Sequence, residues 1–497
     1  MIEARHPQVD FRPLLAYGQL SDPDLMALST PRSVDRLDPN DLPNLVSEQP
    51  GRSWTIAALL IIDRGPLIGS SGAVDVEGFS HSIEARIAMM PRLRQVLRCP
   101  RLGLGLPYWS DDRNFDIRRH VEVIRLGADL DWATAVQSTE QILERPLDLS
   151  RPLWKMYLID GTGGEHVALV IVLHHVLADG IGGLAVLAGL VGPDPNAPAA
   201  WFARPGPTRG ALLVDNLHRW ISGGRALGRV LLHLASLLAT LRAAYRDMWK
   251  EPAAITTFNT PIGSRRRLLT ANVRLQAVKD TAHARGATVN DVALAAISAA
   301  MASLFTARNE VCNGTLQVSV PVSLRKEAST AELGNQVSGM RIPLPVGVAD
   351  PFERLAQIAR FTVTERDKKA DPQRIRLFQG FWRALAGLRL HNWFVRRQRI
   401  VNLYATNVAG PKEPIQLLDS QVRAIVPIPP LGGNIPIGFG VFSYAETCTI
   451  AIVVDPDLVP DATSLLTGLS SALEDLTGAE VTMEPPRLAQ LRGDGTP

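Results

Sequence analysis

Apolar residues along this chain fall into two kinds of run. Some have the length and continuity of strands: Trp54 to Asp63, which carries Ile-Ala-Ala-Leu-Leu-Ile-Ile, then Trp154 to Ile159 and Val167 to Leu173. Val121 to Leu126 alternates apolar and polar residues, as a half-buried strand does. Between Ile159 and Val167, Gly161-Thr-Gly-Gly-Glu165 reads as a hairpin connection. Other runs have helical spacing: Phe79 to Met90, stopped by Pro91, then Ala133 to Leu143 and Leu184 to Leu190. Residues Gly192 to Gly210 break the pattern with five prolines and almost no periodicity, which predicts a linker. A long amphipathic helix is expected over Trp220 to Lys250, with Leu227, Leu231, Leu234, Leu238, Leu241 and Tyr245 on one face. From near Phe258 the mixed style resumes. Val289 to Phe305 and Pro460 to Leu476 read as helices; Leu316 to Val322, Arg341 to Val346, Ala424 to Pro427 and Cys448 to Val454 read as strands.

The pattern predicts an α/β protein in two mixed halves, residues 1–191 and 258–497, joined by a linker and long helix over 192–257. A length of 497 residues, long for one hydrophobic core, agrees with two units. At 46% hydrophobic and 20% charged the chain is globular in composition. A formal net charge of +3 carries no nucleic-acid signature, so any charge-driven partner must be argued locally. Cys99, Cys312 and Cys448 are odd in number and far apart, which implies neither a disulfide framework nor a zinc site and fits a reducing compartment. Met1 to His6 has no apolar stretch behind a basic start, so no signal peptide is expected. The most apolar helical stretch, Val230 to Leu241, is interrupted by His233 and falls short of the ~20 residues of a membrane span. The expectation is a cytoplasmic protein that touches a bilayer without crossing it.

Chemistry concentrates at His174-His175-Val-Leu-Ala-Asp179-Gly180, where an unbroken apolar strand ends and Gly180, Gly182 and Gly183 permit a tight backbone close to a ligand. An imidazole, with an ordinary pKa of ~6.5, is suited to take a proton from a hydroxyl as that oxygen attacks. Successive strand residues point to opposite faces, so one histidine of the pair should face a cleft and the other should pack behind it. Adjacent histidines on a strand do not readily reach one ion, and no third ligand stands at metal spacing. A Gly-x-Ser-x-Gly elbow is absent, which argues against a serine hydrolase.

With that motif in view, the chain resembles the CoA-dependent acyltransferase superfamily, and within it the bacterial wax ester synthase/diacylglycerol acyltransferase family. Supporting blocks follow in order: Phe115-Asp116 with His120, Pro146 to Trp154, Thr288-Val-Asn290-Asp291, Pro321 to Arg325, Leu333-Gly-Asn335, Thr406-Asn407-Val-Ala-Gly410-Pro411, Ser443-Tyr444 and Asp455. The resemblance implies a two-domain chloramphenicol-acetyltransferase-like fold with mixed sheets and an active-site tunnel between the halves. It implies transfer of a long-chain acyl group from acyl-CoA, as co-substrate, to diacylglycerol or a fatty alcohol, with no cofactor and no metal. His175 is carried over as the general base. His174, Asp179 and Gly180 support it, Asp179 pairing with a distant arginine, first Arg94 and second Arg325. Asn290, Asp291, Asn407 and Ser443 are candidates for the tunnel wall. On the bland side, Trp154 reads as core packing, Asn290-Asp291 as a helix N-cap and Asn407 as a turn.

Some positions depart from the family pattern. Val172 stands where the family often has Lys, Gly438 where it has Asn, Glu446 where it has Gly, and Ala409 replaces a proline. These changes bear on acceptor choice and motivate one alternative, a lipid-binding homologue with impaired catalysis. The other alternative is a condensation-type acyltransferase acting on a carrier-bound or polyketide alcohol. Between Gln373 and Asn402 there are seven arginines, no acid, and Phe378, Phe381, Trp382, Trp393 and Phe394. Such a segment, like the basic helix from Trp220, is expected either to lie on an anionic membrane or lipid droplet or to be an ordinary solvated face.

Overall fold

Val167 to Leu173 reads as one continuous apolar run because it lies in the middle of a sheet covered on both faces. The computed structural model describes residues 34–48, 54–70, 72–100, 105–177, 180–191, 203–232, 242, 252–323, 337–369 and 372–485. Its first half holds α1 (Leu42–Ser47), β1 (Thr55–Asp63), α2 (Val76–Ile87), β2 (Gln95–Arg98), β3 (Tyr108–Asp111), β4 (Val121–Arg125), α3 (Trp132–Leu143), β5 (Trp154–Asp160), β6 (His166–His174) and α4 (Gly180–Leu190). Then come α5 (Arg209–Leu232), β7 (Arg267–Arg274), α6 (Leu275–Ala284), α7 (Val289–Ala307), β8 (Leu316–Ser323), β9 (Val337–Leu344), α8 (Pro351–Lys369), α9 (Pro372–Gly387) and α10 (His391–Val395). The chain continues through β10 (Leu403–Ala409), β11 (Gln416–Leu417), β12 (Ser420–Ile428), β13 (Ile437–Tyr444), β14 (Thr447–Val454) and α11 (Ala462–Thr477).

Among the described residues the strands form two six-stranded mixed sheets, in the orders β11-β12-β1-β6-β5-β4 and β7-β14-β13-β10-β8-β9, and a two-stranded sheet β2-β3. Along β6, Val167, Leu169, Ile171 and Leu173 pack into the core under α2 and α4. Ala168, Val170 and Val172 pack on the other face with Ile262, Leu268, Val426 and Val453, a core shared by both halves of the sequence. In the second half α7 is apolar nearly all round and buried, lying against α11. It is long and apolar enough to span a membrane by composition, but two thirds (67%) of that stretch is buried in the fold. Of the apolar stretch Val230 to Leu241, residues 233–241 lie outside the described residues.

The two halves are not closed units. β12 comes from the second half yet pairs with β1 of the first, Leu59 opposite Val426. Arg423 on β12 grips the Asp63 carboxylate with two bonds of 2.7 Å. The Tyr444 hydroxyl donates to the Val422 carbonyl and accepts from the Ile415 N–H, both at 2.8 Å. An exchanged strand held this way fixes the cleft between the halves.

Several elements differ from the sequence expectation. α2 starts at Val76 rather than Phe79 because the Asp75 carboxylate caps it, accepting from the Gly78 N–H. The helix expected at Trp220 begins at Arg209, behind Thr208, whose hydroxyl accepts from the Ala211 N–H. Residues 192–202, 233–241 and 243–251 lie outside the described residues, as do Arg325 and Asn335. Asn407 is not a turn: it lies inside β10, in parallel register with Val441. The turn comes at Gly410, where a side chain would collide with the Phe442 ring and the Ser443 carbonyl.

Candidate active site

β6 ends at His174, and the two histidines part there. The His174 N–H donates to the Leu153 carbonyl at 2.9 Å, and the His175 N–H to the Trp54 carbonyl at 3.0 Å. His174 is fully buried. Its Nδ1 accepts from the Val176 N–H at 3.1 Å, and its Nε2 lies 3.4 Å from the Glu48 carboxylate. His175 is half-buried and lines a cavity of about 270 Å³. One histidine faces the cleft and the other packs behind it.

Beside His175, the Trp54 ring is stacked at 5.9 Å between centroids, with 28° between planes. Trp54 is itself fixed from three sides. Its Nε1–H donates to Asn44 Oδ1 at 3.1 Å and its backbone N–H to Glu48 Oε2 at 2.6 Å. Gly432 lies flat against the indole, where any Cβ would overlap the ring. Gly433, at φ +62°, turns the chain against the Val395 carbonyl. Gln398 and Asn434 brace this loop by a 2.8 Å side-chain bond and a return bond from Asn434 Nδ2 to the Gln398 carbonyl. The far wall of the cavity carries Trp382, His391, Asn392 and Arg396 from α9 and the region around α10. Burial pushes the His391 imidazole below its ordinary value, opposed by its contact with Asn392.

Among the described residues, the other expected ones fall outside this cavity lining. Arg94 is buried. Its Nη2 donates to the Glu84 carbonyl at 3.2 Å and lies 3.7 Å from the Glu84 carboxylate, and its guanidinium sits over the Phe115 ring. Burial lowers its pKa, against the pull of Glu84. Asp179 lies outside the described residues, and α4 begins at Gly180. Trp154 is core packing: it is buried, donates from Nε1 to the Leu93 carbonyl at 2.7 Å, and stacks on His120 at 4.5 Å. The cap of α7 is Thr288 rather than Asn290-Asp291. The Thr288 hydroxyl accepts from the Asp291 N–H while Asp291 Oδ2 accepts from the Thr288 N–H, a reciprocal capping box. Asn290 is left to meet Asn407, whose Nδ2 donates to Asn290 Oδ1 at 3.4 Å. Ser443 lies on β13, its carbonyl accepting from the Gly410 N–H. No group of three or more His, Cys, Asp or Glu suited to a metal occurs among the described residues.

Comparison with known proteins shows the family. The sequence pattern of the wax ester synthase/diacylglycerol acyltransferase catalytic domain matches residues 37–293, and that of the family's C-terminal domain matches residues 333–477. The chain belongs to the wax ester synthase/diacylglycerol acyltransferase family. A probable diacylglycerol O-acyltransferase of Mycobacterium tuberculosis is 31% identical over 439 residues, which cover 85% of this chain and 91% of that protein. The wax ester synthase/diacylglycerol acyltransferase of Marinobacter aquaeolei VT8 superposes with a TM-score of 0.64 at 18% identity, covering 89% of this chain and 98% of that one. The starter condensation domain of rhizomide synthetase, solved with C8-CoA and Leu-SNAC, has the same fold at a TM-score of 0.55 and 15% identity, covering 92% and 96%. The protein is thus an acyltransferase of this family with a two-domain α/β fold.

Against the family pattern, three of the departures have local explanations, and nothing in the structure explains Ala409. A Cβ at Gly438 would press on Leu431, a cavity residue, at 3.1 Å. Val172 is buried in the shared core, where a charged side chain would lack water. Glu446 is exposed in the β13–β14 turn, and the left-handed residue there is Ala445, at φ +51°. Sequence reasoning missed Asn44, Glu48, His391 and Gly432-Gly433. Only the Gly-Gly pair, in Pro429-Pro430-Leu-Gly-Gly-Asn-Ile-Pro436, carried a readable signal.

Proposed function

We propose that this acyltransferase moves a long-chain fatty acyl group from acyl-CoA to diacylglycerol or a long-chain alcohol, with His175 as general base. The observation that carries the reading is His175, alone of its pair, opening into a cavity walled by Trp54 and the Gly432-Gly433 loop. The His175 Nδ1 is buried, and Nε2 is the nitrogen proposed as base. In the proposed step Nε2 takes the acceptor's hydroxyl proton as that oxygen attacks the thioester carbonyl. Collapse of the tetrahedral adduct breaks the C–S bond, and the proton passes to the departing CoA sulfur. The role proposed for Asp179 is to shape the loop rather than to take part in the reaction. The condensation domain of similar fold was solved with C8-CoA, which supports an acyl-CoA donor here.

A cavity of about 270 Å³ lies below the ~300–1,000 Å³ of most ligand sites. It suits the reacting end of a lipid, whose chains extend out past α9 and α10. Leu388, Leu390 and Trp393 are exposed there, beside exposed Arg383, Arg389, Arg397 and Arg399. The Arg397 guanidinium sits 5.5 Å from the Trp393 ring centre. Aromatic and apolar groups ringed by cations fit the surface of an anionic membrane or lipid droplet on the cytoplasmic side. The test of the base is His175→Ala, which should lower turnover by ~10²–10⁴ at unchanged thermal stability. Near-wild-type turnover by the folded variant would refute the mechanism.

A further inference from the structure

Glu48 follows the last residue of α1, and its side chain is only 8% exposed. A carboxylate so placed needs partners. Its Oε2 accepts from the Trp54 N–H at 2.6 Å and lies 3.4 Å from His174 Nε2. The proton of His174 can be located from its other nitrogen. Because Nδ1 accepts from the Val176 N–H, it carries no hydrogen, so the neutral ring is the Nε2–H tautomer and that hydrogen is on the Glu48 side. One oxygen therefore accepts from the Trp54 backbone and stands within ion-pair distance of His174 Nε2, without hydrogen-bond geometry, and so touches the two segments that bracket His175. One is the residue before it; the other is Trp54, whose carbonyl accepts the His175 N–H and whose ring lies along the imidazole.

We propose that Glu48 is the positioning residue of the histidine pair, holding His174 in one tautomer and Trp54 in one place so that His175 keeps its aim into the cavity. It acts through those two residues and is not part of the cavity lining. The proposal rests on His175 as base. Glu48→Ala should lower kcat by ~10–10²-fold, the usual result of a small misplacement at a reacting centre, and leave KM for a soluble alcohol unchanged. Glu48→Gln can set its amide oxygen where Oε2 lies and should recover most of that loss. Combining Glu48→Ala with His174→Gln should cost less than the product of the two single losses, because the residues act as a unit. In ¹⁵N-histidine-labelled wild-type protein near pH 8, with His174→Gln for assignment, the His174 hydrogen should sit on Nε2. That measurement needs no folded variant at position 48. A hydrogen on Nδ1, a loss at Glu48→Ala confined to KM or to thermal stability, or multiplying losses would each overturn the proposal. A silent His175→Ala would instead remove the base reading on which it stands.

Discussion

Gly432 leaves the Trp54 indole its place at the site, because no side chain fits between them. A methyl group at position 432 would overlap the indole, which the Asn44 bond and the His175 ring keep from yielding. Gly432→Ala should therefore lower turnover by ~10–10²-fold through displacement of Trp54 from His175. Steady-state kinetics beside a melting curve checks this; unchanged kcat would mean the indole is a bystander. Other histidines report on stability. Burial holds His120, His166 and His391 below the ordinary imidazole value, with the Trp154 carbonyl, Asp63 and Asn392 respectively pulling back. The unfolded chain then takes up protons first as pH falls below ~6.5, so stability rises with pH through that window and is lost on acidification. Carboxylates held down by partners, such as Glu122 by Lys155 and Asp461 by Arg308, act only below ~4.5. The melting temperature should fall between pH 7.5 and 5.5. His120→Gln, which keeps a donor for the Trp154 carbonyl but does not titrate there, should flatten part of that fall.

Elements were legible where their own residues set their limits. β5 and β6 lie within a residue or two of their apolar runs because burial on both sides leaves few polar interruptions, and α11 because its buried Leu positions keep helical spacing. β13 was not legible, since Gly438 and Gly440 dilute its pattern; those glycines exist because Leu431, Pro427 and Pro429 press on them. The run at Ala424 to Pro427 reads as a strand, but the place of β12 beside β1 depends on partners far away in sequence, Asp63 and Tyr444, which no local window contains. At the site the same division holds. The proposed base and its buried neighbour could be read from a strand end, whereas Asn44 on a short helix and Glu48 just past its end carry no motif. One element makes a quantitative test. Thr288→Ala removes the hydroxyl half of the α7 capping box and should cost ~0.5–2 kcal/mol in urea unfolding. No change would mean that packing of α7 against α11 alone sets its start.

At the scale of the molecule, cavity and surface belong together, because α9 and the α10 region supply both the wall opposite His175 and the exposed arginines beside Trp393. Each basic residue near an anionic surface contributes ~1 kcal/mol, weakened by salt. Replacing Arg389, Arg397 and Arg399 with Gln should release the protein from anionic liposomes and spare turnover of a short soluble alcohol. Arg396 is left in place because it lines the cavity. Equal sedimentation of both proteins with liposomes at low and high salt would make this an ordinary solvated face.

The most direct test of the central claim is product formation by the purified protein. Radiolabelled palmitoyl-CoA would be offered with diacylglycerol and with fatty alcohols. The account predicts labelled triacylglycerol or wax ester, one CoA released per ester formed, and loss of both products in His175→Ala. Absence of ester with every acceptor, or CoA release yielding only free palmitate, would contradict it.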